Sequence, residues 1–391
     1  MKISRFILPV GLSLALSGCS GGPSPFSEEL YQAEEHLVRL ELDQARKVLA
    51  GIRQSSNELP ERYYQNSIRV HLAAFEFQQS LAELKRWQQA TGVQRPKERT
   101  KILLAWLRHF SEYTDLSIRF EALKALGEMR DQSSKDILMQ NFEYPSRTVR
   151  IVVCYAMALL GDKERALTYL MERARYGSLK QRALSALFLA ELKDVALIPV
   201  YRSFLEDPEN SIRSIGATVL ADLRATEAKS ALTKILKETL DPRMKMTMAH
   251  ALVRLGDDQY MRIIEELRNN HLFKLDAELL LYDLGRTGLE DSVLARLDEL
   301  DAESRFVFMR SMIRHGRQDK VRELLSEKLG SLTGTAFEKK MELELMALVG
   351  TAEDLDKLEV HMSSPFEEVK VVAVKTWWQI QERLNSSREA I

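Results

Sequence analysis

Nine basic side chains recur at one register in this 391-residue chain: Arg119, Arg150, Arg182, Arg213, Lys245, Lys274, Arg305, Lys339 and Lys370, spaced 31, 32, 31, 32, 29, 31, 34 and 31 residues apart. Such a row of cations has two uses. Each can pair with a carboxylate in a neighbouring turn, for which Asp115, Asp207, Asp241 and Asp301 are suitably placed, or the row can form a positive stripe for an anionic polymer or an acidic partner. Recurrence in every copy favours the structural use, because a ligand site seldom repeats.

Other reactive side chains form no constellation. The seven histidines show no His-x-x-x-His spacing and there is no Cys-x-x-Cys pair, so no metal site is expected. Nor is there a Gly-x-Ser-x-Gly, Walker-type or Rossmann-type glycine pattern, and the 57 carboxylates offer no distinguishable catalytic pair. No cofactor is implied. Trp377 and Trp378, adjacent and so about 100° apart on a helix, are candidate partner anchors, since aromatic residues dominate interface hot spots. With 56 basic and 57 acidic residues, the chain presents no global field for nucleic acid, and its 45% apolar content excludes a disordered one.

The elements that must position the cations are helices. Three, six and seven residues after the basic position come small or apolar side chains, such as Ala122, Ala125 and Leu126, which share one helical face; Glu342 breaks the pattern. Eleven residues after it stands a glycine in five copies, at Gly161, Gly256, Gly285, Gly316 and Gly350, where a left-handed C-terminal cap is expected. Polar starts at Asp162, Thr226, Asp257 and Thr351 then open a second helix, and Pro145, Pro208, Pro242 and Pro365 fall between copies. No stretch alternates like a strand. The chain reads as all-α, with the loop 330–335 as a candidate bend.

The run from Val149 to Asp162, Val-Arg followed by small residues and closed by Leu-Gly-Asp, and more loosely Met244 to Asp257, resembles the short HEAT repeat, also found in phycobilisome-lyase-like proteins. The resemblance implies a right-handed α-solenoid of about nine HEAT-like helix pairs over residues 115–385. Its basic-residue helices would line the concave side of an open arc about 80 Å long. Iron-binding HEAT-repeat hydroxylases use His-Glu pairs, and the sequence has none, so that activity is not carried over. Residues 28–114 lack the basic position; Ala33, Leu37, Leu40, Ala45 and Leu49 give them a tetratricopeptide-like helical pattern, expected to cap the solenoid.

At the start, Lys2 and Arg5 precede an apolar run from Phe6 to Leu16 and a small-residue site, which is the pattern of an export signal over residues 1–18. Leu16-Ser17-Gly18-Cys19 resembles the lipobox of bacterial lipoproteins. That resemblance implies a diacylglycerol thioether on Cys19, acyl chains such as palmitate, a tether over 19–27 and, from Ser20 rather than Asp, an outer-membrane, periplasm-facing location. Cys154 is the one other cysteine, so the mature chain has no internal disulfide. The combined expectation is a membrane-anchored scaffold, not an enzyme, that binds another envelope protein or peptide segment along its concave face. The alternatives are capture of an anionic envelope glycan or lipid by the basic row, and a groove-based lyase or hydrolase.

Overall fold

The computed structural model describes residues 26–389; the signal segment, Cys19 and the tether to residue 25 lie outside them. Among the described residues there are 22 α-helices and no strand, and no helix is long and apolar enough to cross a membrane. Two compact units meet at Phe110 and Ser111 in the chain.

The first unit contains α1 (Ser27–Val38), α2 (Leu42–Ser55), α3 (Glu61–Ala73), α4 (Phe77–Thr91) and α5 (Pro96–Phe110). It repeats with a period of 35 residues. His36 bonds Glu41 across the α1–α2 turn at 2.7 Å, and His71 bonds Glu76 across the α3–α4 turn at the same distance. In both turns a bulky residue, Leu40 (φ 61°) or Phe75 (φ 60°), takes the left-handed conformation. Leu40 is therefore an exposed turn residue and not the core position its spacing suggested. Trp87 and Trp106 are buried, Trp87 stacked on Tyr64 and Trp106 on Phe77.

In the second unit, helices alternate between two layers. The basic residues lie on α6 (Leu116–Glu128), α8 (Arg147–Leu159), α10 (Leu179–Leu192), α12 (Asn210–Asp222), α14 (Pro242–Arg254), α16 (Lys274–Asp283), α18 (Ala302–Arg314), α20 (Ala336–Val349) and α22 (Glu367–Glu389). Between them run the second-layer helices α7 (Lys135–Phe142), α9 (Lys163–Tyr176), α11 (Ile198–Phe204), α13 (Lys229–Glu238), α15 (Met261–Arg268), α17 (Glu290–Leu294), α19 (Gln318–Leu329) and α21 (Leu355–His361). Each basic-residue helix packs on the next, and the second-layer helices fill in behind. The ninth copy is a single helix, α22, rather than a pair.

The arc does not stay open. α22 packs against α6, so the nine basic-residue helices form a closed ring, which corrects the expectation of a free 80 Å face. Closing in nine copies needs a turn of roughly 40° per copy, and close helix approach supplies part of it. Gly127 of α6 touches α8: a Cβ there would overlap Ala156. α8 is correspondingly apolar nearly all round, with Val149 and every residue from Ile151 to Ala158 buried, as a helix covered on both sides must be.

Helix ends follow the sequence with informative exceptions. Asp115, Ser146, Asp241 and Asp301 accept backbone N–H bonds at the starts of α6, α8, α14 and α18. Three of these are carboxylates expected to pair with the basic row; they are spent on capping instead. Thr351 and Asp354 form a reciprocal capping box, whereas Asp162 and Asp257 cap no backbone N–H of the helices they precede, Asp257 accepting instead from the Gln259 side chain. The loop 330–335 ends in another such box, between Thr335 and Glu338.

Eleven residues after the basic position the backbone is left-handed in seven copies, at Arg130, Gly161, Lys193, Arg224, Gly256, Gly285 and Gly316. Gly350 differs: its φ is −62°, and its lack of a side chain admits Ile380. Arg130 and Arg224 bear the strain that glycine avoids, a left-handed conformation costing an L-residue about 1–2 kcal/mol. Arg130→Gly and Arg224→Gly should each stabilise the protein by about 0.5–1 kcal/mol, after allowance for glycine's freer unfolded chain. Urea titration of each variant checks this.

Candidate functional site

The basic row sits where the first-layer helices begin, and most of its members turn back to the preceding connection or a neighbouring polar group. Arg119 donates to Tyr113 O (2.7 Å), Glu112 O (2.8 Å) and Asn141 Oδ1 (3.0 Å), with its guanidinium 4.0 Å over the Tyr144 ring. Arg150 donates to Tyr144 O at 3.1 Å. Arg182 pairs with Asp207 at 3.2 Å and Arg305 with Glu338 at 2.9 Å, each reaching toward the next copy, while Arg213 bonds Asn210. Lys339 bonds Lys328 O and Glu342, and Lys370 bonds Glu367. Lys274 is exposed and Lys245 half-buried. Trp377 is buried in α22 and Trp378 is half-buried, so neither stands out as an open anchor.

Ring closure gathers residues that the spacing analysis passed over. Five and nine positions after the basic residues many side chains are ionisable, namely Lys124, Glu128, Glu191, Asp222, His250, Arg254, Asp283, Arg314, Glu344 and Lys375, and several of them pair with one another across adjacent first-layer helices. The signal was available, because two offsets four apart share one helical face. It was missed because exposed charges on an open arc would have been unremarkable.

At the closure seam, Lys375 of α22 is 2% exposed and reaches Glu128 of α6 at 2.8 Å and Glu344 of α20. Lys124 lies 3.5 Å from Glu128 and 4.0 Å from Glu344, and Lys340 pairs with Glu121 at 2.5 Å. Burial disfavours the charge on Lys375 and Lys124, but the surrounding glutamates outweigh it and raise both pKa values. Burial likewise opposes ionisation of Glu344, and Lys375 with Lys124 prevails to hold its carboxyl below the usual range. Glu191 is exposed to solvent, yet the protein around its carboxyl, reinforced by Glu128 and Glu344, pushes it up. Tyr155, stacked on Phe188 at 4.3 Å, is also pushed up, first by burial and then by Glu191 and Glu128.

A second network spans α14, α16 and α18. Asp283 takes bonds from His250 (2.9 Å) and Ser311 (2.7 Å) and pairs with Arg314. Burial works against its charge, but His250 and Arg314 dominate and hold the Asp283 carboxyl well below the normal range. A depressed folded-state pKa contributes stability above the unfolded value and loses it as pH falls. Asp283→Asn is therefore expected to lower stability by about 1–2 kcal/mol at pH 7, with most of that effect still present near pH 3 and lost only as pH falls further through the folded-state value. Denaturation across this acid range checks the persistence.

Cys154 lies in the core of α8, and burial pushes its thiol up to about 12. Thiolate is the reactive form. With Cys19 replaced, native protein at pH 8 should react with iodoacetamide far more slowly than unfolded protein, by at least about a hundredfold.

All first-layer helices run the same way, so their starts share one edge of the ring. Exposed apolar side chains collect there: Leu116, Tyr176 (68%), Leu179, Leu240 (89%), Leu272 (68%), Phe337 and Phe366. Scattered apolar residues need no explanation, but a series along one edge does.

Stacked antiparallel helix pairs with a repeated basic position define a HEAT-type α-solenoid, an architecture that serves as a protein-interaction scaffold. Residues 100–187 match the family described as HEAT repeats. Among solved structures, a chain in the complex of CpcE and CpcF of phycocyanin lyase from Nostoc sp. PCC7120 is 15% identical, with 66% of this chain and 95% of that chain covered and a TM-score of 0.38. No curated protein matches the sequence.

Proposed function

We propose that this protein is a lipid-anchored, periplasm-facing scaffold, held to the outer membrane through Cys19, that docks another envelope protein or a peptide segment of one. The observation that carries the docking role is the apolar series on one ring edge, from Leu116 through Leu240 to Phe366. Because the ring is closed, docking is assigned to this edge and the adjoining mouth rather than to a long open groove. Catalysis is not part of the reading: the ionisable groups at the seam neutralise one another in ion pairs, which serves packing.

Photo-crosslinking residues placed at Leu240, Leu272 and Phe337 should give adducts with one envelope protein, and one placed at Val195, away from this edge, should not. Equal adducts at all four sites would defeat the docking assignment. Labelled palmitate should appear on wild-type protein and not on Cys19→Ala, which should leave the membrane fraction; retention of the variant in that fraction would defeat the anchor.

A further inference from the structure

The first unit holds a polar cavity of about 350 Å³ that the docking role leaves unused. Its wall is formed by Arg53 at the end of α2, by Asn57 and Leu59 in the connection to α3, and by Glu83, Arg86 and Gln89 on α4. Glu83 is only 4% exposed. One of its oxygens, Oε1, accepts from Arg53 at 3.2 Å and also from Arg86. The other, Oε2, has no hydrogen-bond partner among the described residues. Buried polar atoms are almost always paired, because an acceptor left empty costs stability.

The helix pair itself does not require these charges. Its 35-residue period puts Val48 at the position equivalent to Glu83 and Gly51 at that of Arg86, so the first pair folds with neither group. What the second pair has in their place is two guanidinium groups gathered on one carboxylate oxygen, each side chain about half exposed. Guanidinium groups held in this way are already oriented, and their remaining N–H groups can take an oxyanion with less freedom left to lose.

Two cations against one carboxylate leave the wall positive, which suits an anion. The empty acceptor on Glu83 requires that the same ligand also bring a donor. A carboxylate with a hydroxyl close to it meets both demands, and the side-chain amides of Asn57 and Gln89, each both donor and acceptor, suit further hydroxyls. Apolar surface on the wall is limited to Leu59 and the largely buried Tyr64, so a lipid chain or the apolar side chain of a peptide terminus has no subsite. The volume lies near the lower end for small-ligand sites, which suits a mono- or disaccharide. We propose that this cavity binds an acidic sugar unit, its carboxylate on Arg53 and Arg86 and a ring hydroxyl on Glu83. The site gives the protein a glycan-directed function in residues that the docking assignment does not use.

The test uses the mature full-length chain and titration calorimetry with digalacturonate. Arg86→Gln should weaken binding at least about tenfold while the melting curve stays near that of wild type, since Arg53 still pairs with Glu83. Asn57→Ala with Gln89→Ala, at exposed positions outside the ion pairs, should weaken it separately. The dimethyl ester of digalacturonate, which keeps the hydroxyls and loses the charge, should bind at least about tenfold more weakly, and so should succinate, which keeps the charge and lacks the ring. Arg202→Gln, at an exposed arginine of the second unit, should bind as wild type does. Absence of binding by wild type overturns the proposal, as does equal binding by Arg86→Gln or equal weakening by Arg202→Gln. Succinate binding as tightly as digalacturonate, or a blocked dialanine with a free carboxylate binding more tightly, overturns the sugar assignment.

Discussion

Lys375→Ala should lower the stability of the second unit by about 3–5 kcal/mol, the usual effect of removing one partner of a buried ion pair. Its ammonium bridges Glu128 and Glu344 at the seam, and its loss leaves the two carboxylates with the more distant Lys124, at 3.5 and 4.0 Å, as their shared cation in a poorly solvated place. The chain would not simply lose that energy uniformly. α22 is the one helix that joins the ninth copy to the first, so weakening it exposes two apolar ends that the closed ring hides. Small-angle scattering should accordingly report a larger radius of gyration for the variant. Lys375→Met combined with Glu128→Gln should recover part of the loss, because one cation and one carboxylate are removed together and Lys124 keeps Glu344 as its counter-charge. A loss below about 1 kcal/mol with unchanged scattering would show that apolar packing alone closes the ring.

The second large effect is expected at Gly127. A Cβ there would overlap both Cβ and Cα of Ala156, so α6 and α8 must move apart to accept any side chain. Gly127→Val is expected to cost about 3 kcal/mol or more, at the upper end of overpacking effects, since backbone cannot yield as a flexible side chain does. Ala156→Gly introduced beside Gly127→Ala should restore part of the loss by removing one of the overlapping atoms. Chemical denaturation of the pair and of the two single variants measures the coupling directly. Additive behaviour would place the strain elsewhere.

Much of the fold was legible because it is local. Small residues at Ala122, Ala125 and Leu126, glycines at Gly161 and Gly256, and the recurring cation are all read within one copy, and each constrains a helix or its end. What escaped depends on relations between copies. The left-handed positions at Arg130, Lys193 and Arg224 share the glycine register but not the residue type, so only the backbone reveals that all belong to one motif. Closure is a sum of small rotations over nine copies, and no single residue announces it. The seam charges followed the same logic: Lys124 and Glu344 lie over two hundred residues apart in sequence and 4.0 Å apart in space.

The meeting of α22 with α6 also fixes distances. An unclosed superhelix stretches and recoils like a spring, and two molecules bound along it drift relative to each other. Here the span from Leu116 to Leu240 or Phe337 is set by a hoop that cannot lengthen without parting at its join. Anything gripping two such points at once would be held at a constant separation, as work is held in a jig.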